Sequence, residues 1–104
     1  MTKVGQPYTS GDWRVKPGNK AAFVAQWETF IKWSLKNAPD SGPFYLIQDT
    51  TNPRHFISFG AWDNSEAVSA WRRHPEFQEQ LGKVRALCES LQAPDYKLVS
   101  APSR

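Results

Sequence analysis

The feature that most constrains the fold is a pair of neighbouring segments, 44–49 and 55–62, that are apolar at both odd and even positions. Their aromatic and β-branched residues are typical of strands, and the turn-forming residues 50–54 between them predict a hairpin. A sheet with one face in water alternates apolar and polar residues, whereas both faces of this hairpin call for burial. A second sheet, supplied by another subunit, is the simplest cover for the outer face.

Helical periodicity before the hairpin predicts one long helix over residues 20–37. Apolar residues recur there at spacings of three and four, from Phe23 to Leu35, which places them on one helix face. A first strand is predicted over residues 8–15, although Gly11 weakens this prediction, because glycine has no side chain to pack in a strand.

Two shorter helical stretches are predicted after the hairpin. The first opens at Asp63, which with Glu66 fits a capping box. It is interrupted at residues 74–75, where the proline suits the first position of a new helix. Apolar residues then repeat at helical spacing over 77–91, so Cys88 is expected to be a small buried residue of this second helix.

With a final strand at residues 96–99, the order becomes strand, helix, strand, strand, interrupted helix, strand. This is the split β-α-β arrangement. A chain of 104 residues has room for one domain with one core, expected here over about residues 8–100. The sequence therefore predicts a single α+β domain, a ferredoxin-like β-α-β-β-α-β unit that pairs through its sheet face into a homodimeric α/β barrel.

Composition argues against several classes of partner. The net charge of +3 comes from basic residues that are spread along the chain among acidic ones, whereas nucleic-acid binders concentrate charge in a patch. A single cysteine forms no internal disulfide. The N-terminal residues are polar, and no apolar run approaches the length of a membrane span. We expect a cytoplasmic protein that binds neither nucleic acid nor membrane.

The aromatic content leaves two alternatives open. Five Trp and six Phe are more than a thin core needs, so rings either fill the interior or line a pocket or a subunit interface. Phe23, Trp27 and Phe59 are expected in the core. Trp62 and Trp71 either stack against a flat substrate or anchor the short helix to the sheet.

The chemical motifs are few. One cysteine and two histidines form no metal-ligand pattern, and no glycine-rich phosphate loop is present, so we expect neither a metal nor a nucleotide cofactor. Imidazole ordinarily titrates near neutral pH, which makes His74 a candidate general base. The alternative is that His74 caps the helix that follows. His55, beside the predicted turn, is expected to be exposed and without function.

Several segments together resemble the antibiotic biosynthesis monooxygenase family, over about residues 8–100. The matching segments are 15–18, 49–53, 56–62, 62–67, Trp71 and 74–77. The resemblance implies a dimeric α/β barrel in which each subunit holds a pocket between its sheet and helices. Some members oxidise phenolic polyketides with oxygen and no bound cofactor, whereas others degrade haem.

The residue sets of both groups are incomplete here. The polyketide oxygenases share the tryptophan at Trp62, but their asparagine falls on Ser58, their tyrosine on Val68 and their arginine near Leu81. The haem degraders share the tryptophan at Trp71. Their histidine also falls on Leu81, and their first-strand asparagine lands near Gly11. Haem is therefore an unfavoured cofactor.

The leading hypothesis is a cofactor-independent monooxygenase that uses molecular oxygen on a flat aromatic or polyketide-like small molecule. A non-catalytic small-molecule-binding or accessory protein on the same fold is the main alternative, and haem degradation is a weaker one. The residues predicted to bind substrate are Trp62, Trp71, Ser58, Val68 and Tyr45. His74 is the predicted catalytic base, with Tyr45 or Tyr96 as alternatives.

Overall fold

The computed structural model describes residues 3–104, so Met1 and Thr2 of the predicted domain lie outside the described residues. The elements are β1 (Pro7–Val15), α1 (Lys20–Asn37), β2 (Ser41–Gln48), β3 (His55–Trp62), α2 (Ser65–Arg73), α3 (Phe77–Arg85), β4 (Cys88–Gln92) and β5 (Asp95–Lys97). Within residues 3–104, none of the helices combines the length and apolar content that crossing a bilayer requires.

The strands form one antiparallel sheet in the order β2-β3-β1-β4, with β5 also paired to β1. The two central strands run in register from Tyr8 opposite Ala61 to Arg14 opposite His55. The helices lie against one face of this sheet, where α2 contacts β3 and α1 contacts α3. The predicted ferredoxin-like α+β fold is thus confirmed, and α1 and β3 have the predicted bounds.

The core between helices and sheet is dominated by aromatic rings, since side chains at alternate strand positions share one face. The buried rings are Trp13, Phe23, Trp27, Phe30, Phe56, Trp62, Trp71 and Phe77. Their burial confirms the core positions predicted for Phe23 and Trp27. Phe59 differs, because its half-buried ring packs against Tyr45 at a centroid distance of 5.6 Å.

The helical assignment of Cys88 was wrong. Helix α3 ends at Arg85, and Cys88 begins β4. A bulge explains the misleading spacing: Val15 pairs with Cys88 but Arg14 pairs with Ser90, so the β4 strand carries one extra residue. The bulge puts two inward-facing residues of β4 three positions apart, and that spacing imitates a helical repeat.

The predicted helix starts also need correction. Asn64, not Asp63, caps α2, because its side-chain oxygen accepts a hydrogen bond from Ala67 N at 2.8 Å. Helix α3 begins at Phe77, two residues after the proline that was predicted to open it. The backbone N–H of Asp63 instead donates to Asp40 O at 2.9 Å, which ties the start of α2 to the loop before β2.

The sheet face away from the helices carries apolar cross-strand pairs. Tyr45 lies opposite Phe59 and Ile47 opposite Ile57 on strands β2 and β3. Tyr45 and Ile47 are 53% and 54% exposed. The two-sided apolar character predicted for the hairpin is therefore present, and residues 3–104 leave one of its two faces uncovered.

A close approach between Phe44 and Gly60 yields the first prediction. A Cβ atom on Gly60 would overlap the Phe44 ring, so Gly60→Ala should destabilise the fold by about 1–3 kcal/mol through overpacking. Gly82→Ala is the matched control, since nothing lies within 4 Å of its added methyl and removing a helical glycine should stabilise by about 0.4–1 kcal/mol. Urea denaturation measures both, and equal stability of the Gly60→Ala variant and the unchanged protein would contradict the packing argument.

Candidate functional site

A cavity of about 310 Å³ lies between the helices and the inner face of the sheet. Its walls are mainly aromatic, and a few polar groups lie among them, as is typical of small-molecule sites. The rings that line it are Trp13, Trp27, Phe30, Phe44, Trp71 and Phe77. Leu81 and Leu91 add aliphatic surface from α3 and β4.

One wall of the cavity depends on the absence of a side chain at Gly11. A Cβ there would lie 2.5 Å from Trp13 Nε1 and 2.9 Å from Ser58 Oγ, well inside van der Waals contact. Because the space is free, the Trp13 indole folds over β1 and donates a hydrogen bond to Ser58 Oγ at 3.0 Å. The glycine that weakened the strand prediction therefore shapes the site, and it leaves no room for the asparagine of the haem degraders.

Two buried hydroxyl groups supply the polar character of the inner wall. Ser58 Oγ accepts from the Trp13 indole, and Thr9 Oγ1 accepts from Trp62 Nε1 at 3.0 Å. A hydroxyl that accepts one hydrogen bond still carries its own proton as a donor. Both residues line the cavity, so each can donate to an oxygen atom of a ligand. Sequence reasoning missed Thr9; its only signal was an inward-facing position on β1.

Charged groups line the cavity at its solvent-exposed side. Arg72 donates to both carboxylate oxygens of Asp95, which raises the pKa of Arg72 and lowers the pKa of Asp95. Arg85 also lines the cavity and forms no ion pair with any residue in the range 3–104. It lies one helical turn after Leu81, near the place where the resemblance puts an arginine.

The structure brings together only some of the predicted substrate-binding residues. Ser58 and Trp71 line the cavity. Trp62 is fully buried behind Trp71, with the ring centroids 4.9 Å apart. Val68 lines a second cleft of about 280 Å³ with Tyr96, and Tyr45 lies on the opposite face of the sheet.

His74 is half-buried and lines neither cavity. Its Nδ1 accepts a hydrogen bond from Glu76 N at 3.1 Å, and its ring packs edge-on against Trp33 at a centroid distance of 5.0 Å. His74 is the C-cap residue of α2, whereas the N-cap of α3 is Glu76 and α3 has no side-chain capping hydrogen bond, so the predicted capping of the following helix by His74 is not observed. The catalytic role predicted for His74 stays a prediction.

His55 is not the exposed residue that the sequence suggested, because only 15% of its side chain is exposed. Its Nε2 lies 2.8 Å from Asp12 Oδ1 and its Nδ1 lies 2.9 Å from Asp49 Oδ2. The two carboxylates approach opposite ring nitrogens and so do not converge on a common metal position. In keeping with this, no cluster that could hold a metal ion is found in residues 3–104.

The bonds to Asp49 have an electrostatic consequence. The hydrogen bond from His55, with further bonds from Thr51 and Asn52, holds the pKa of Asp49 well below its usual range. The thiol of Cys88 shifts in the other direction, since burial raises its pKa to about 11. Cys88 therefore stays a protonated, unreactive thiol at neutral pH.

Comparison with known proteins decides the family. Residues 10–81 match the family described as antibiotic biosynthesis monooxygenase. The chain belongs to this family. An uncharacterized protein of Synechocystis sp. (strain ATCC 27184 / PCC 6803 / Kazusa) is 31% identical over 74 residues, which are 71% of this chain. The chain spans only half the length of that relative.

Solved structures agree with the family fold. SnoaB of Streptomyces nogalater, described as a cofactor-independent oxygenase, superposes with a TM-score of 0.82 at 13% identity, covering 94% of this chain and 97% of SnoaB. A conserved protein of Bacteroides thetaiotaomicron reaches 0.78 at 16% identity, covering 92% of this chain and all of that one. At these identities the two structures establish the fold.

The depressed pKa of Asp49 predicts a loss of stability in acid. A carboxyl group whose pKa is lowered by folding stabilises the protein above its ordinary pKa, near 4, and this contribution is lost as the pH falls toward the lowered value. Asp49→Asn should therefore lower the Tm at pH 7, and its deficit should shrink between pH 4 and pH 2.

The control for this experiment is Asp63→Asn, since the Asp63 side chain forms no hydrogen bond or ion pair within the described residues. Its Tm difference from the unchanged protein should be small at every pH. A deficit of Asp49→Asn that stays constant down to pH 2 would rule out the assigned role of the carboxylate.

Proposed function

We propose that this protein is a cofactor-independent monooxygenase that oxidises a flat phenolic or polyketide-like small molecule with molecular oxygen. The observation that carries the proposal is the aromatic cavity with two hydroxyl donors on its inner wall, Thr9 and Ser58. Membership of the family and the likeness to an oxygenase fold support it.

Oxidation of a phenol by molecular oxygen requires few groups of the protein. A phenolate is electron-rich and supplies all four electrons when molecular oxygen converts a phenol to a quinone. One oxygen atom becomes the new carbonyl oxygen on a ring carbon, and the other leaves as water with the hydrogen of that carbon and the phenolic hydrogen. The site has to hold the ring, stabilise the phenolate oxygen and exclude water. The rings of Trp13 and Trp71 stack against a planar ligand. The hydroxyls of Thr9 and Ser58 donate hydrogen bonds to its phenolate oxygen.

The unpaired guanidinium of Arg85 favours the anionic form of the ligand. Asp95 is the one carboxylate among the described lining residues, and Arg72 neutralises it. Among the described lining residues, the positive charge of Arg85 therefore has no carboxylate partner. A nearby positive charge lowers the pKa of a bound phenol. A base at His74 would have to reach the cavity from the α2–α3 junction, so the proposal relies on Arg85 and the two hydroxyls instead.

A specific observation favours a second candidate, a binding protein without catalysis. The described cavity lining contains no His, Tyr, Cys or Glu, and its one carboxylate is paired. A site without a free base binds an aromatic molecule yet leaves it unreacted. In that case polycyclic phenols raise the Tm while oxygen uptake stays at background.

The two hydroxyls allow a matched test of the oxygenase. Thr9→Val keeps the shape of the side chain but removes the donor and, with it, the acceptor of the Trp62 N–H. In variant protein shown by its Tm to be folded, oxygen uptake with polycyclic phenols should fall by about 10²-fold, as for the loss of one donor to a developing oxyanion. Thr9→Ser keeps the hydroxyl and should retain most of the rate. An oxygen electrode measures both variants, and a Thr9→Val protein with full activity would refute the role of the donor.

We also propose that two copies associate through the outer face of the sheet. The cross-strand pairs of Tyr45 with Phe59 and of Ile47 with Ile57 form an apolar patch on the outer face of β2 and β3. Patches of this kind mark interfaces, and the same patch on a second copy is self-complementary across a two-fold axis.

The dimer predicts how charge on this face acts. Ile47→Glu should convert a dimer into a monomer at micromolar concentration, because the carboxylate would be buried without a partner. Val99→Glu is the control, since Val99 is 72% exposed and lies outside the strands. Light scattering after size exclusion gives the mass, and a protein that is monomeric before substitution contradicts the proposal.

A further inference from the structure

We propose that the ion pair between Arg72 and Asp95 is a gate that divides one long ligand channel into two cavities and thereby sets the length of the ligand. This inference rests on the proposed function, since it specifies which aromatic molecules the site accepts. With the gate closed, the main cavity takes a compact ligand. With the gate open, the second cleft joins it, and an elongated molecule of several rings fits.

The two cavities share a wall. Thr9, Arg72 and Asp95 line both the main cavity of about 310 Å³ and the second cleft of about 280 Å³. Thr9 is buried in β1 and fixed by its bond from Trp62. The other two residues are side chains that reach across from α2 and β5, so they are the movable part of the wall.

The ion pair between these two side chains closes the wall between the cavities, and breaking it costs little free energy. Arg72 Nη1 lies 2.8 Å from Asp95 Oδ2, and Arg72 Nη2 bonds the other carboxylate oxygen. The two side chains are 38% and 52% exposed, and exposed ion pairs contribute little to stability because water replaces their hydrogen bonds. Burial of an aromatic ring is a larger effect, so a ligand that extends through the wall can displace the pair.

The second cleft offers the surface that such a ligand needs. Ser65, Val68 and Ser69 of α2 line the cleft opposite Pro7 and Thr9 of β1. These side chains provide aliphatic surface and hydroxyl groups for the far end of an elongated phenol. Val68 is the residue that falls on the tyrosine of the polyketide oxygenases. It lines the second cleft and not the main cavity.

The segment that carries Asp95 is short. Strand β5 has three residues and pairs only with β1, and the preceding residue is held where Ser10 Oγ donates to Pro94 O at 2.6 Å. The backbone on both sides of the gate is thus anchored. A rotation of the two side chains opens the wall without moving the strand.

The test compares a compact phenol, 2-naphthol, with an elongated one, 6-(4-hydroxyphenyl)-2-naphthol, by anaerobic fluorescence titration. Arg72→Ala and Asp95→Ala each remove one half of the gate. Each should raise the affinity for the elongated phenol relative to 2-naphthol by about tenfold, the change expected when an apolar group gains a pocket. Arg73→Ala is the control, since Arg73 adjoins Arg72 but lines neither cavity.

The two gate variants change the charge of the site in opposite directions, which separates opening from electrostatics. A higher affinity ratio in both, with the control unchanged and all three variants folded by their Tm, supports the gate. A rise in only one variant means that charge is responsible and overturns it. An unchanged ratio with normal 2-naphthol binding overturns the gate but leaves the proposed site intact. Failure of every protein to bind either phenol overturns both.

Discussion

The structure depends on giving three buried tryptophan N–H groups an acceptor. Each indole donates to a hydroxyl on another element: Trp13 to Ser58, Trp62 to Thr9 and Trp71 to Ser34, all at 3.0 Å. A buried donor without a partner costs about 1–3 kcal/mol. These bonds therefore fix which way each large ring points, and the ring orientations decide where space is left between the helices and the sheet.

The same bonds connect stability with the proposed chemistry. Trp71 contacts Trp62, Phe30 and Phe77 at centroid distances of 4.9, 5.9 and 4.7 Å, so the rings support one another rather than collapse inward. Two of the hydroxyls that satisfy the indoles, on Ser58 and Thr9, also face the cavity. A polar group that is needed for folding is thereby available to a ligand at no additional desolvation cost.

Sequence reasoning succeeded where periodicity alone decides the outcome. Helix α1 was predicted with its observed bounds because its apolar repeat is long and regular, and β3 because a turn cluster precedes a run of mainly apolar residues. It failed at Cys88, where a bulge turned a strand spacing into a helical one. The resemblance to the family was correct, and it pointed to Ser58 and Trp71, which line the cavity.

The rest of the site could not be read from spacing. Thr9, Arg72 and Asp95 are separated by dozens of residues and meet only because β5 returns beside β1. His55 was misjudged for the same reason: Asp12, one of its two partners, lies 43 residues away. Such contacts depend on strand pairing and side-chain direction, and a single sequence specifies neither of them locally.

The bulge in β4 affects whether a strand of another molecule can add to this edge of the sheet. The sheet border beyond β1 consists of two short strands, β4 and β5, separated at Pro94, and the bulge at Glu89 twists the first of them. A proline and a bulge deny a foreign strand the straight row of free backbone groups that sheet extension requires. This margin of the fold is thus protected against fibril-like growth.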